Sequence, residues 1–170
     1  MPEEGINREE ILMKKLVSVI AGGVLGLAAG AAAIGKMNKK VIKEKENTKK
    51  RYKKYYDIMN YWMEANYRGR SISECLKEKE YTNIVIYGMG ELGNRLYEQL
   101  QKTDVKVMYA IDKNPVSSYS ELNVVGAAME TTGVDAVIVT PVYDFDKIKE
   151  DLEGIFDCKI ISLEEIVYEM

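Results

Sequence analysis

The sequence contains no histidine, two cysteines, three prolines and one tryptophan among its 170 residues. The lack of histidine excludes Ser/His/Asp and Cys/His catalytic triads, histidine-ligated zinc or haem, and imidazole acid–base chemistry, because no other unperturbed side chain titrates near neutral pH. Cys75 and Cys158 stand far apart and outside any C-x-x-C spacing. The sequence therefore predicts neither a disulfide framework nor a thiolate metal site, and two reduced thiols in a cytosolic setting are the simplest interpretation.

The net charge of −3 conceals a segregation of charge along the chain. Residues 36–54 carry ten basic and two acidic side chains, whereas residues 81–170 carry seven basic and sixteen acidic ones. Binding to nucleic acid requires an excess of Lys and Arg against the phosphates. We therefore expect no nucleic-acid binding by the acidic C-terminal part, and only residues 36–54 are suited to a polyanion.

Residues 16–35 form an uncharged stretch of twenty residues. A helix of that length crosses roughly 30 Å of hydrocarbon, although a composition that is more than half Gly and Ala makes insertion marginal. Gly22, Gly26 and Gly30 lie on one helix face, a spacing that favours self-association in lipid but also arises by chance in any Gly/Ala-rich stretch. We predict a polar N-terminus over residues 1–15 and a transmembrane helix over residues 16–35.

A cleaved signal peptide is the main alternative, because Lys14 and Lys15 precede the apolar stretch and residues 29–31 are small, as at a cleavage site. The basic residues after the stretch instead favour retention of that side in the cytoplasm. We therefore predict a single-pass membrane protein with a cytoplasmic C-terminal domain and with residues 36–54 against anionic headgroups. A cytoplasmic protein with a solvated charge run is the alternative.

Residues 36–80 are predicted to form a basic and amphipathic helical connector. Apolar and aromatic residues recur at helical spacing up to Gly69, which is well placed to end the helix. These residues are Tyr52, Tyr55, Tyr56, Met59, Trp62 and Met63. Ser71 and Glu74 have the spacing of a capping box, which predicts a second, short helix to about Lys79. We expect the aromatic face to pack on the C-terminal domain or on a partner helix.

A β-branched run over residues 83–87 leads directly into a G-x-G-x-x-G motif and then into a helix patterned on leucines. This order is the context of a nucleotide-binding loop. Gly88 is expected to allow the tight turn, Gly90 to let the backbone approach a phosphate, and Gly93 to permit close packing of helix on strand. The predicted phosphate donors are the backbone N–H groups of Met89, Gly90, Glu91 and Leu92.

The remaining residues continue an alternation of strands and helices. Strands are predicted at 105–111, 123–126, 136–140 and 159–161, with helices at about 144–154 and after Ser162. Too few residues separate Gly126 from Asp135 for a helical crossover, which predicts a loop or a single turn there. We predict for residues 81–170 an α/β fold, a small doubly wound and mostly parallel five-stranded Rossmann-like sheet in the order 3-2-1-4-5.

Ligands of such folds bind outside the carboxyl ends of the strands, which would bring the glycine loop together with Asp112-Lys113 and Thr140-Pro141. Asp112 is placed to hydrogen-bond ribose hydroxyls, and Thr140 is expected to form hydrogen bonds at the crevice. Glu91 opposes this prediction, because an acid in the first helical turn repels a pyrophosphate. The alternative is that the glycines serve only the turn and its packing and that Asp112 only caps the turn that follows it.

The runs NIVIYGMGELGNRLYEQL and VKVMYAIDKNP resemble Rossmann-like domains of bacterial surface-polysaccharide biosynthesis. The sequence is similar there to the N-terminal nucleotide-sugar-binding domains of sialic-acid-type sugar acyltransferases and to the N-terminal domains of membrane-bound nucleotide-sugar dehydratases. The resemblance covers residues 81–170, and the catalytic part of neither relative is present. The Gly-Glu-Leu-Gly variant also resembles the first domain of some ATP-grasp enzymes, whose loop need not hold a dinucleotide.

Together with the predicted membrane segment over residues 16–35, the resemblance implies a membrane-tethered accessory or regulatory protein that binds a nucleotide or nucleotide-sugar and recruits or regulates a surface-glycan enzyme. An NAD(P)-dependent oxidoreductase subunit is one alternative, and a protein-interaction module with an empty crevice is another. No activated nucleophile, paired acid or metal cluster is recognisable, so we predict no catalytic residue and no metal ligand.

Overall fold

The computed structural model describes residues 8–115, 122–129 and 131–170, with side chains for all of these except residues 8 and 20–38. The chain divides into two units, residues 1–50 and residues 51–170. A long helix, α1 (Arg8–Tyr67), makes up the described part of the first unit and continues into the second. In the first unit, the side chains described at residues 9–19 and 39–50 are all exposed.

The predicted transmembrane segment, residues 16–35, lies within the helical part of the first unit. Among the described residues, no stretch of helix has the length and apolar character of a membrane span. Most of the predicted segment, including the stripe of Gly22, Gly26 and Gly30, falls on positions whose side chains lie outside the described set. The membrane span and the single-pass topology stay predictions.

The second unit contains the end of α1 and an alternation of strands and helices. The further elements are α2 (Ile72–Glu78), β1 (Asn83–Tyr87), α3 (Glu91–Leu100), β2 (Lys106–Ile111), β3 (Val124–Val125), β4 (Ala136–Val139), a 3-10 turn (Val142–Asp144), α4 (Phe145–Glu153), β5 (Lys159–Ser162) and α5 (Leu163–Glu169). The capping box of α2 is confirmed: the Glu74 N–H donates to Ser71 Oγ at 3.3 Å, and the Ser71 N–H donates to Glu74 Oε2 at 2.9 Å.

The strands form one parallel five-stranded sheet in the order β3-β2-β1-β4-β5, as predicted. From β1 the chain proceeds outward through β2 to β3 and then returns to place β4 on the other side of β1. The described residues between β3 and β4 contain no helix, as the short spacing predicted. The fold is therefore Rossmann-like, and its topological switch point lies between β1 and β4, where such folds form a crevice.

The sheet is buried on both faces, which explains its β-branched strands. Because successive side chains point to opposite faces, Ile84 and Ile86 pack in one core cluster with α2, α3 and α5. Val85 and Val137 pack in a second cluster with α4. The carboxyl ends of β1 and β4 are thus held rigidly between two helical layers.

The buried face of α1 differs from the predicted one. Ile58 and Trp62 are buried in the core, and Tyr55 packs partly against it. Four residues of the predicted face are exposed instead: Tyr52, Tyr56, Met59 and Met63. The end of α1 faces the rest of the domain through Ile58 and Trp62. Tyr52 and Tyr56 lie to one side of these two residues, and their phenol hydroxyls stay hydrated in solvent. Packing of α1 on the C-terminal domain is confirmed, and the composition of the packed face was predicted incorrectly.

Candidate functional site

Gly88 forms the turn between β1 and α3 in a conformation that favours glycine, with φ of +92°. Its N–H donates to the Ile111 carbonyl oxygen at 2.7 Å, and its own carbonyl oxygen accepts a hydrogen bond from Thr140 Oγ1 at 2.7 Å. A Cβ at this position would lie 2.7 Å from Cδ of Pro141. The tight-turn role predicted for Gly88 is confirmed.

Gly93 allows α3 to lie directly against the turn. A Cβ there would overlap the Gly88 carbonyl oxygen and lie 3.1 Å from the Gly88 carbonyl carbon. The close packing of helix on strand that the motif predicted is therefore present, and both outer glycines are required by the packing of the chain itself.

Gly90 has no such packing role. It is the N-cap residue of α3, its φ is −76°, and apart from its chain neighbours and its own helix no heavy atom of the described residues lies within 4 Å of a Cβ built on it. Among the described residues, no side chain forms a capping hydrogen bond at this end of α3. The first N–H groups of a helix have no partner inside the helix, so Gly90 leaves bare backbone facing open space.

Asp112 follows β2 and faces the glycine loop. Its Oδ2 accepts the Met89 N–H at 2.6 Å, and its Oδ1 accepts the Asn114 N–H at 2.8 Å. The Met89 N–H, one of the predicted phosphate donors, therefore donates to a carboxylate of the protein. Each carboxylate oxygen can accept more than one hydrogen bond, so Asp112 keeps acceptor capacity toward the crevice.

Thr140 lies at the carboxyl end of β4 and is buried. Its backbone N–H donates to the Tyr87 carbonyl oxygen at 2.9 Å, while its hydroxyl donates to Gly88. The hydroxyl that was predicted to form hydrogen bonds at the crevice thus fastens the glycine turn to β4.

A cavity of about 550 Å³ lies over the glycine loop. It is lined by Arg51, Tyr52, Tyr55, Met59, Gly88, Gly90, Glu91, Leu92, Arg95, Asp112, Thr140 and Pro141. The structure thus brings together seven of the ten predicted site residues here. Met89 and Gly93 lie outside this lining, because the Met89 side chain is in the core and Gly93 lies beneath the turn.

A second cavity of about 380 Å³ shares part of this wall. It is lined by Arg51, Tyr87, Gly88, Asp112, Lys113, Pro141, Asp144, Lys147, Ile148 and Asp151. Lys113, the tenth predicted residue, is found here. Burial, followed by the negative charges of Asp151 and Asp112, raises the pKa of Tyr87, so its phenol stays neutral at physiological pH.

Sequence reasoning missed the contribution of α1 to the crevice. Arg51, Tyr52 and Tyr55 had been assigned to a basic run and to a packing face, whereas they line the larger cavity. Arg95 on α3 was also missed, although its position one turn after Glu91 places it on the same helix face. The larger cavity therefore combines two guanidinium groups, two carboxylates and two phenol rings around bare backbone.

Comparison with known proteins gives no assignment. No protein-family model matches the chain, and no curated protein or solved structure shows significant similarity to it. Within the described residues, no group of three or more acidic or cysteine side chains is arranged to hold a metal ion.

Replacement of Thr140 by valine tests the fastening of the turn. Thr140→Val keeps the shape of the side chain but leaves the Gly88 carbonyl oxygen without its buried donor, and we expect it to lower the free energy of unfolding by about 1–3 kcal/mol. Chemical denaturation of both proteins measures the change. Thr140→Ser retains the hydroxyl and should lose clearly less free energy of unfolding. Equal losses of stability in the two variants would contradict the role assigned to the hydroxyl.

Proposed function

We propose that the crevice at the carboxyl ends of β1, β2 and β4 binds a nucleotide or a nucleotide-sugar. The observation that carries the proposal is Gly90. Packing accounts for Gly88 and Gly93, whereas nothing in the described structure occupies the space of a Gly90 side chain. A glycine there has a use if a ligand group approaches the backbone at the start of α3.

The surrounding wall supports the same class of ligand. Its volume of about 550 Å³ falls in the range typical of small-molecule sites. Tyr52 and Tyr55 contribute aromatic side chains to the wall, and Asp112 accepts hydrogen bonds from two backbone N–H groups while keeping acceptor capacity for ribose hydroxyls. Such a wall recognises each part of a nucleotide without a catalytic group.

The wider role we propose is that of an accessory or regulatory protein, tethered to the membrane through residues 16–35 and the basic residues 36–54, that recruits or regulates an enzyme of surface-polysaccharide biosynthesis. This part rests on the hydrophobic segment and on the resemblance stated above. Ligand binding in the crevice is the step on which the regulatory role depends.

Binding is tested by thermal unfolding of the 170-residue chain with NAD(H), NADP(H), ATP, UDP and UDP-sugars. A ligand of the folded state adds roughly 2.7 kcal/mol of stability at a hundredfold excess over Kd, enough to raise the Tm by several degrees. Gly90→Val is expected to abolish this rise, because its side chain fills the space above the loop, while the Tm without ligand changes little.

Gly126→Val is the matched control, because a Cβ at Gly126 also meets no atom of the described part of the chain within 4 Å and Gly126 lines neither cavity. It should keep the ligand-induced rise in full. An unchanged rise in Gly90→Val would place the ligand elsewhere, and no rise with any compound would favour the interaction module. Hydride transfer by a binding-competent preparation would instead support the oxidoreductase.

A further inference from the structure

Arg51 occupies a distinctive position in the crevice. It lies on α1 and lines both cavities. Its guanidinium contacts Asp144 Oδ2 at 3.4 Å and lies 5.9 Å from the centre of the Tyr55 ring. Both members of the ion pair are about half exposed, with 48% and 52% of the side chain accessible. A pair with that exposure and a single long contact is weak and easily exchanged.

The position of α1 does not depend on this ion pair. One turn further along, Lys54 contacts Glu164 at 2.6 Å and also donates to the Val142 carbonyl oxygen at 3.3 Å. Further along the same helix, the side chains of Ile58 and Trp62 are buried in the core and hold the end of α1 against the domain. Arg51 is therefore held in place by its backbone. Its guanidinium interacts with both Asp144 and the Tyr55 side chain, and it can exchange the Asp144 contact without a movement of the helix.

The charges of the larger cavity explain why a bound phosphate would need the Arg51 guanidinium. Glu91 and Asp112 place two carboxylates beside the start of α3, and their repulsion offsets the attraction of the helix dipole for an anion. Arg95 already pairs with Glu98 on its own helix at 2.7 Å. Arg51 has the looser of the two pairings, and an arginine binds phosphate oxygens in a bidentate geometry.

We infer that Arg51 is a specificity-determining residue that leaves Asp144 to contact the phosphates of the ligand, so that the crevice prefers nucleoside diphosphates and their esters to unphosphorylated nucleosides. The inference rests on the proposed function, which it extends by naming the part of the ligand that α1 recognises. Asp144 is the resting partner of the guanidinium and competes with the ligand for it.

The test is calorimetric titration of the 170-residue chain with UDP, UMP and uridine, and in parallel with ADP, AMP and adenosine. Arg51→Ala is expected to weaken diphosphate binding by about tenfold or more. Its affinity for the nucleosides should stay within about twofold of the unmodified chain, since the missing contact is to phosphate. Arg68→Ala is the control, because Arg68 directly follows α1, pairs with Glu64 of that helix and lines neither cavity.

Asp144→Asn completes a double-mutant cycle. Asp144 makes no side-chain hydrogen bond to cap α4, and asparagine is also favoured at that position, so the fold should be retained. Release of Arg51 should tighten diphosphate binding by about two- to fivefold. In the Arg51→Ala background the same substitution should have no effect, because the competition has been removed.

The outcomes separate the inference from the proposed function. Failure of all six compounds to bind the unmodified chain would overturn the inference, and the proposed function would fall with it only if the thermal-unfolding screen with dinucleotides, ATP and UDP-sugars also showed no rise. Diphosphate binding that Arg51→Ala leaves unchanged would overturn the inference alone. An equal gain from Asp144→Asn with and without Arg51 would also overturn it, because that result reports only the loss of a negative charge near the site.

Discussion

Gly93→Ala is expected to lower the free energy of unfolding by more than about 3 kcal/mol, at the upper end of the range for overpacking. The added methyl group would overlap the Gly88 carbonyl oxygen, which is a backbone atom. Rotation of that carbonyl is opposed by two hydrogen bonds. The carbonyl oxygen accepts one from the Thr140 hydroxyl, and the Gly88 N–H donates one to the Ile111 carbonyl oxygen. The higher helix propensity of alanine, about 1 kcal/mol over glycine, is too small to compensate.

Gly90→Ala is the matched control in the same motif, at the N-cap of the same helix. A Cβ there meets no atom of the described residues within 4 Å, so the free energy of unfolding should stay within about 1 kcal/mol of the unmodified chain. Urea denaturation followed by circular dichroism measures both variants. Similar stabilities for the two would refute the close approach of α3 to the turn.

Trp62→Ala is expected to cost about 3–5 kcal/mol of stability. The indole is 4% exposed, and its Nε1–H donates to Gln99 Oε1 at 2.8 Å, while Gln99 donates in turn to Asn66 at 2.8 Å. The substitution therefore removes both a large apolar contact and the link between α1 and α3. The end of α1 is part of the domain core, so we expect a chain that begins at residue 81 to be much less stable.

Met63→Ala serves as the comparison, because Met63 follows Trp62 in the same helix and is 55% exposed. Its expected loss is below about 0.5 kcal/mol. Differential scanning calorimetry of the two variants would show a large difference in Tm. Equal and small losses in the two variants would mean that the rest of the second unit folds without help from the end of α1.

The sheet was predictable because each strand, and each link that determines the strand order, has a recognisable pattern in a short stretch of sequence. Runs of β-branched residues such as Ile84 to Ile86 mark strands buried on both faces, and a glycine motif between strand and helix marks the turn. The short link from Gly126 to Asp135 excluded a helix by length alone. Such patterns do not depend on which face of a strand is packed, because both faces of each strand are buried in the sheet.

The site was only partly predictable, because several of its contacts join residues far apart in the chain. Arg51 meets Asp144 across 93 positions, and nothing in a basic run indicates which of its members faces a crevice. Asp112 and Thr140 were located correctly at strand ends. Their hydrogen bonds to the glycine loop depend on side-chain directions that spacing does not encode. Ile58 was missed because the aromatic residues around it gave a stronger pattern than the single aliphatic one.

If the crevice binds the proposed ligand, the three glycines of the loop are under different selective pressures. A lineage that lost its ligand would still have to keep Gly88 and Gly93, because the chain itself fills the space around them. Gly90 would be released, and larger side chains would accumulate there at little cost to stability. Among descendants of this fold, the G-x-G-x-x-G spacing would therefore persist as a mark of ancestry at its two ends, while the residue at position 90 would record whether the crevice is still in use.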